Sequence, residues 1–241
     1  MSVYRSVPTQ SSSLPPGIGY IIGNEAAERF SFYGMRSILL AYMTMYLVQP
    51  NGEAQLFQEK EAEAWVHLFV GSAYFFPLIG GILADAYWGK YKTILSLSLF
   101  YCLGHGCLAL MGLVGDTKAW LMAGLVLIAI GSGGIKPCVS AHVGDQFNRR
   151  NHHLLSKVFG WFYFSINIGA FLSGLLTPFL LQATCEKGTL GAWIYPYVEF
   201  WVGQKARGEP IFGPHYAFGL PGILMAVATL VFWLGRKQFA H

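Results

Sequence analysis

Long apolar stretches alternate with short polar connections along most of this chain. Four of these stretches are predominantly apolar and long enough to cross the roughly 30 Å hydrocarbon core of a bilayer as helices. They cover residues 64–84, 93–114, 157–183 and 216–236. A fifth stretch, residues 119–141, is apolar as far as Ile135 and then contains Lys136. The pattern predicts five membrane-spanning helices.

Residues 19–48 form a sixth candidate span, with an apolar frame that contains Glu25, Glu28, Arg29 and Arg36. An ionisable side chain at a helix centre costs roughly 2.5 to 3.5 kcal/mol on insertion scales. Several such residues in one span therefore indicate a lined cavity and mutual pairing, which is a functional site. The sequence predicts an all-α membrane protein with six transmembrane helices.

The polar groups of the first span share one helix face. At about 100° of rotation per residue, Glu25 and five other side chains lie on one side of the helix axis, within roughly 80° of the position of Glu25. They are Glu25, Glu28, Arg29, Phe32, Tyr33 and Arg36. Local pairs at i,i+3 and i,i+4 could account for this pattern in water. In a membrane span, apolar residues would be cheaper and equally helical, so the pattern favours function.

Lys136 is the other intramembrane cation, in the run GSGGIKP. Its glycines allow another backbone to approach closely, and Pro137 interrupts the helical hydrogen bonds. Glu25 and Glu28 are the acids available inside the membrane, so we expect an ion pair between them and Lys136. Burial favours the neutral carboxyl and nearby cations favour the charged one. Such a balance suits a proton-coupled carrier.

Composition supports a membrane protein, since 54% of residues are hydrophobic, 12% are charged and the mean hydropathy is +0.44. With the N-terminus inside, the inner connections hold eight Lys and Arg residues and the outer ones five. This bias predicts that both termini are cytoplasmic. The net charge of +4 then reflects topology, and nucleic-acid binding is not expected.

Two segments lie outside the predicted spans. Residues 1–17 are polar and broken by proline, which predicts a disordered cytoplasmic tail rather than a secretory signal. Residues 185–214 form a long external loop with several aromatic side chains. Three of the four cysteines fall in spans, and His152 and His153 are adjacent in a loop, so neither a disulfide framework nor a metal site is expected. No motif for a cofactor or an enzyme occurs.

Four motifs occur in a specific order: E-x-x-E-R-F-x-F-Y-G from Glu25, GGILADAYWGKYKT from Gly80, GSGGIKP from Gly131 and F-Y-F-S-I-N-I-G from Phe162. Together they resemble the signature blocks of the proton-dependent oligopeptide transporter family. The resemblance covers roughly residues 18–182. It implies the major facilitator fold and proton-driven symport of di- and tripeptides across the plasma membrane, with small peptides and protons as partners and no cofactor.

The resemblance also assigns roles to individual residues. The proton-coupling set that it implies is Glu25, Glu28, Arg29 and Lys136. The peptide-binding set is Arg29, Tyr33, Arg36, Tyr74, Lys136, Tyr163 and Asn167. Packed aromatic side chains remain an alternative for Tyr74 and Tyr163, and a contact between helices is an alternative for Asn167.

Three further features follow from the same comparison. Phe32 replaces the commoner tyrosine of the motif, which puts fine peptide selectivity in doubt. His67 matches a histidine that handles protons in animal members, although an ordinary interfacial histidine fits equally. Asp85, Lys90 and Lys92 resemble the gating signature between the second and third helices, or else simply follow the positive-inside rule.

The resembled fold joins two six-helix halves around a midplane site, and this chain has one such set. We therefore expect an N-terminal half, from a truncated or split reading frame, whose partner is a C-terminal six-helix half. A parallel homodimer would satisfy the symmetry but would lack an acidic site for the peptide ammonium. Other interpretations are a non-transporting peptide sensor and a carrier of nitrate or amino acids. An intramembrane enzyme lacks a nucleophile and is not expected.

Overall fold

The computed structural model of the 241-residue chain describes residues 7–181 and 212–240. Six long helices make up most of these residues. Their bounds are α1 Ile18–Ala41, α2 Glu59–Leu83, α3 Lys90–Leu110, α4 Thr117–Asp145, α5 Leu155–Leu181 and α6 Phe212–Leu234. The prediction of an all-α, six-helix membrane protein is confirmed. Most of the predicted external loop, residues 185–211, lies outside the described residues.

Several helices extend beyond the apolar runs that predicted them. α2 begins five residues before position 64, because Glu59 to Glu63 continue the helix as a charged first turn. α1 and α2 each end in a π-helical turn, Tyr42–Tyr46 and Ala84–Trp88. α3 ends at Leu110 and not at 114, since Gly112 and Gly115 adopt positive φ there. Hydrophobicity marks the bilayer-facing part of a helix, whereas the hydrogen-bonded helix continues into its polar ends.

Within the described residues, five helices are long and apolar enough to cross a membrane, namely α2 to α6. The exception is α1, whose 24 residues would extend about 36 Å. α1 has the length of a span but contains four charged residues within twelve positions, from Glu25 to Arg36. It packs mainly against α5 and α6, so other helices shield its charges.

Small residues bring the helices close together. Gly80 of α2 lies directly against the backbone of Gly134 in α4, which leaves no room for a Cβ at position 80. On the other side of the bundle, Gly34 of α1 packs on Ser173 and Thr177 of α5, and Thr177 Oγ1 donates to the Gly34 carbonyl at 2.9 Å. Such contacts let helices associate in lipid, where hydrophobic burial provides no driving force between them.

One end of the bundle is closed by the chain that follows α6. A 3₁₀ turn, Gly235–Lys237, leads to Phe239, which is buried against Tyr20, Tyr91 and Phe232. The Gln146 side chain accepts a hydrogen bond from Ala240 N at 2.9 Å and donates one to its carbonyl at 3.2 Å. These contacts join the end of α6 to the end of α4.

Residues 7–17 of the predicted disordered tail lie against the connection between α4 and α5. Asn148 Nδ2 donates to the carbonyls of Thr9 at 2.5 Å and Ser11 at 3.1 Å. Asn151, which is buried, donates to the Ser13 carbonyl at 3.2 Å. Backbone carbonyls of this segment therefore have specific partners, which its composition did not predict.

Candidate substrate and proton site

Three charged residues of α1 form a compact buried cluster. Glu25, Glu28 and Arg29 are 2%, 0% and 7% exposed. Arg29 Nε donates to Glu25 Oε1 at 2.6 Å and lies 3.2 Å from Glu28 Oε2. Their i, i+3 and i+4 spacing puts them on one helical turn. One guanidinium therefore faces two carboxylates, and the second carboxylate needs further donors.

Ser132 of α4 is one of those donors. Its hydroxyl donates to Glu28 Oε1, and both residues are buried. No role was predicted for Ser132, because the GSGG run in which it lies was interpreted as a site where another backbone approaches closely. A signal was present, since Ser132 lies one helical turn before Lys136 on the same face of α4. α4 therefore contributes a neutral hydroxyl to the cluster, where the sequence had predicted a cation.

Lys136 itself is half-buried and rests on aromatic rings. Its Nζ lies 4.3 Å from the centroid of the Phe32 ring and 5.4 Å from that of Tyr74. The predicted ion pair with the glutamates is wrong, since no described contact within 4.0 Å joins Lys136 to either carboxylate. Arg29 and Ser132 already donate to one oxygen of each carboxylate, Glu25 Oε1 and Glu28 Oε1, and ring faces attract an ammonium group. Lys136 interacts with both glutamates and with Arg36 at longer range.

The other residues assigned to peptide binding lie on an open face of α1, α2 and α5. Tyr33 is half-buried, Arg36 and Asn167 are exposed, and Tyr74 and Tyr163 are 68% and 59% exposed. Asn167 Nδ2 donates to the Tyr163 carbonyl one turn earlier, at 2.8 Å. Phe32 connects this face to the buried cluster, since its ring centroid lies 5.6 Å from that of Tyr33.

The residues with a predicted gating role lie at the far end of α2 and the start of α3. Lys90 Nζ donates to Asp145 Oδ2 of α4 at 2.6 Å. Asp85 is exposed in the π-helical turn, Lys92 is exposed on α3, and neither belongs to an ion pair among the described residues. Asp145 was not among the predicted gating residues. His67 is exposed on α2.

Six membrane-length helices and a buried cluster of ionisable side chains define a membrane transporter bundle. The chain belongs to the POT family, whose family model, PTR2, matches residues 91–241. A curated relative, peptide transporter family 1 of Drosophila melanogaster, is 39% identical over 231 residues. That match covers 93% of this chain and 27% of the relative.

Solved structures give the same result. The POT family transporter PepTSo matches with a TM-score of 0.72 and 42% identity, over 94% of this chain and 38% of that one. A peptide transporter POT in complex with sulfate matches with a TM-score of 0.72 and 28% identity, over 98% and 41%. The chain thus spans less than half the length of these relatives, and its six helices correspond to the N-terminal half of a major facilitator fold. The family and these relatives are multi-pass membrane transporters, not enzymes.

Proposed function

We propose that this chain supplies the N-terminal half of a proton-coupled symporter for di- and tripeptides in the plasma membrane, with both termini in the cytoplasm. The observation that carries this proposal is the buried cluster of Glu25, Glu28 and Arg29, adjoined by Lys136 on the open side. Ionisable groups that are buried in a membrane bundle and open to an aqueous face can exchange a proton and bind a charged solute. The name of the Drosophila relative supports a peptide as that solute.

In this proposal the cations bind the peptide carboxylate, and the acids of the cluster bind the proton. Arg36 and Lys136 face the open side, so a peptide carboxylate can reach them. When Glu25 or Glu28 takes up a proton, its attraction for Arg29 and Lys136 falls. Those cations then attract the carboxylate more strongly, and proton and peptide favour each other's binding. The related POT structure that contains sulfate supports anion binding in this family.

A second six-helix half completes the transporter in this proposal. α2 and α5 are the least buried of the membrane-length apolar helices that the structure describes. Their exposed apolar side chains include Phe75, Leu78, Phe164 and Phe171. The exposed Tyr74 and Tyr163 belong to the same two helices. A partner bundle on this face would enclose the site from the other side, as two halves do around a midplane site.

Uptake by the reassembled transporter tests the proposal. The 241-residue chain is co-reconstituted with a separately expressed C-terminal half of a POT relative, and labelled dialanine uptake is measured under an inward proton gradient. We expect uptake that needs both halves and the gradient. Glu25→Gln should abolish the dependence on the gradient, whereas Glu63→Gln, an exposed acid in the first turns of α2, should not. Absence of uptake with both halves present would refute the proposed function.

Transport of another anionic solute is the second candidate, because the exposed cation Arg36 and the half-buried Lys136 suit any small solute with a negative charge. Nitrate and free histidine would compete with dialanine uptake if such solutes used the site. Uptake that persists in an excess of both would assign the site to peptides.

A further inference from the structure

Two buried polar stripes face each other on α1 and α3. Asn24, Glu28 and Ser31 follow one face of α1, and Ser98, Tyr101 and His105 follow one face of α3. Spacings of four and three residues on α1 and of three and four on α3 keep each set on one side of its helix. Of these six residues, the proposed function uses Glu28 alone. The other five are unexplained by peptide binding.

Contacts fix how the stripes are aligned. Ser31 Oγ lies 2.8 Å from His105 Nε2. One turn away, the Tyr101 hydroxyl lies near both Glu28 and Ser31, and its ring centroid is 5.1 Å from that of His105. α1 and α3 run in the same direction, since the antiparallel α2 connects them. The third pair along the stripes is therefore Asn24 and Ser98.

The hydroxyl of Ser31 also determines the state of His105. Ser31 Oγ donates to the Pro221 carbonyl of α6 at 3.1 Å, and a hydroxyl has a single proton to donate. His105 Nε2 then carries a hydrogen and donates to Ser31 Oγ. His105 Nδ1 is left as an acceptor on the side of the ring that lies beside Gly222 and the Phe218 backbone of α6.

Seven side-chain atoms of this region are buried and have no hydrogen-bond partner among the described residues. They are Asn24 Oδ1, Asn24 Nδ2, Glu25 Oε2, Glu28 Oε2, Ser98 Oγ, Tyr101 Oη and His105 Nδ1. A buried polar group without a hydrogen-bond partner is costly, so seven in one place call for a ligand. The set contains both donors and acceptors, which is the pattern that water satisfies with two to four hydrogen bonds.

The packing of the helices is consistent with a ligand there. α1 packs mainly on α5 and α6, and α3 mainly on α4 and α6. Side chains such as Ser31 and His105, and not close backbone contact, connect α1 to α3. We propose that Glu28, Ser98, Tyr101 and His105 enclose an internal water site between these two helices, beside α6.

Water in this site accepts from Tyr101 and donates to Glu28 and to His105 Nδ1. The functional part of the inference rests on the proposed function: water here solvates ionised Glu28 from inside the bundle and takes part in its proton exchange. The charged groups that face the site are Glu25, Glu28 and Arg29 of α1 and, at longer range, Lys136 of α4. α3 adds Tyr101 and His105, and α6 adds the non-ionising Pro221 and Gly222.

X-ray hydroxyl-radical footprinting of the full chain in lipid nanodiscs tests for this water directly, because radicals form where water is bound. We expect Tyr101 to be oxidised although it is fully buried, while Met43, an equally buried and more reactive side chain, stays unmodified. Ser98→Val, which replaces a wall hydroxyl with methyl groups, should abolish Tyr101 labelling. Tyr101 as unreactive as Met43 in the unaltered chain would overturn the inference.

The functional arm uses the two-half uptake assay. Tyr101→Phe removes one wall hydroxyl and keeps the ring, so the pH at which uptake is half-maximal should shift relative to the unaltered chain. An unshifted pH profile together with unaltered uptake would refute the role in proton exchange. Footprinting does not depend on transport, so failure of the proposed function and failure of the water site give different results.

Discussion

At the scale of single residues, the central feature is one guanidinium between two buried carboxylates. Arg29 contacts Glu25 and Glu28 within one turn of α1, and the hydroxyl of Ser132 donates to Glu28 Oε1. The three charges sum to −1, which is costly to bury. Protonation of one glutamate would remove that excess, which is the physical basis of the proton-coupling role proposed above.

Removal of the Ser132 hydroxyl should weaken the bundle. Ser132→Ala leaves a buried carboxylate oxygen without a donor, which costs about 1 to 3 kcal/mol. Ser140→Ala is the matched control, because the Ser140 hydroxyl donates at 3.3 Å to Pro137 within its own helix. The free energy of unfolding in mild detergent should fall for Ser132→Ala and stay nearly constant for Ser140→Ala. Equal effects of the two substitutions would contradict the assigned contact.

Loss of the Arg29 charge should be more damaging. Arg29→Leu leaves two carboxylates buried without a cation in contact, and breaking a buried pair costs about 3 to 5 kcal/mol. The double variant with Glu28→Gln should recover part of this loss, because one of the two charges is gone. Arg36→Leu, at an exposed position, serves as the control. Thermal unfolding would measure all three, and the hypothesis fails if the second substitution restores nothing.

The sequence predicted the charged face of α1 because that face depends on one helix alone. Ser132 and His105 were missed, and the Lys136 ion pair was wrong, because those contacts depend on how α3 and α4 cross α1. Crossing positions are set by glycine contacts between helices, such as that of Gly80 with Gly134. The angular positions of side chains around a single helix contain no information about where other helices cross it. The roles of the open-face residues remain predictions.

At the scale of helices, small residues decide how closely the elements pack. The glycine contact between α2 and α4 lies between Pro77 and Pro137, which interrupt the two helices near their crossing. Thr177 of α5 reaches the Gly34 carbonyl of α1 in a similar close contact. The site residues of α1, α2 and α4 are therefore positioned by residues that have almost no side chain.

A neighbouring pair of glycines offers a matched test of the α2 and α4 crossing. Gly80→Val would place a branched side chain against the Gly134 backbone, whereas Gly81→Val meets open space. Both changes alter helix propensity equally, so their difference isolates packing. Overpacking costs about 1 to 3 kcal/mol, and we expect Gly80→Val to lower the melting temperature more than Gly81→Val. The reverse order would show that the helices do not meet there.

At the scale of the whole molecule, α2 and α5 are the least buried of the apolar spans among the described residues. Apolar runs in the sequence located α2 to α6, because crossing a bilayer demands a long apolar stretch, and an apolar frame interrupted by charges located α1. Their ends were less predictable, since the charged turn Glu59 to Glu63 remains helical outside any apolar run.

Orientation in the membrane is the prediction at this scale. Lys and Arg residues concentrate in the connections that share a side with the N-terminus, so that side should be cytoplasmic. In a variant with its four cysteines changed to serine, Ser12→Cys should react with an impermeant maleimide in inside-out vesicles alone. Glu59→Cys, before the apolar part of α2, should react in right-side-out vesicles alone. Labelling in the opposite pattern would refute the assigned topology.

The charges of α1 have a consequence for how the protein is made. α1 is synthesised before the other described helices, yet among them it is the one that does not meet the apolar criterion for a span. Its ion pairs are local, but its shielding comes from α4, α5 and α6, which leave the ribosome later. Stable insertion of α1 in the bilayer therefore depends on α4, α5 and α6, which are synthesised after it. Insertion of this bundle is then cooperative and does not proceed helix by helix.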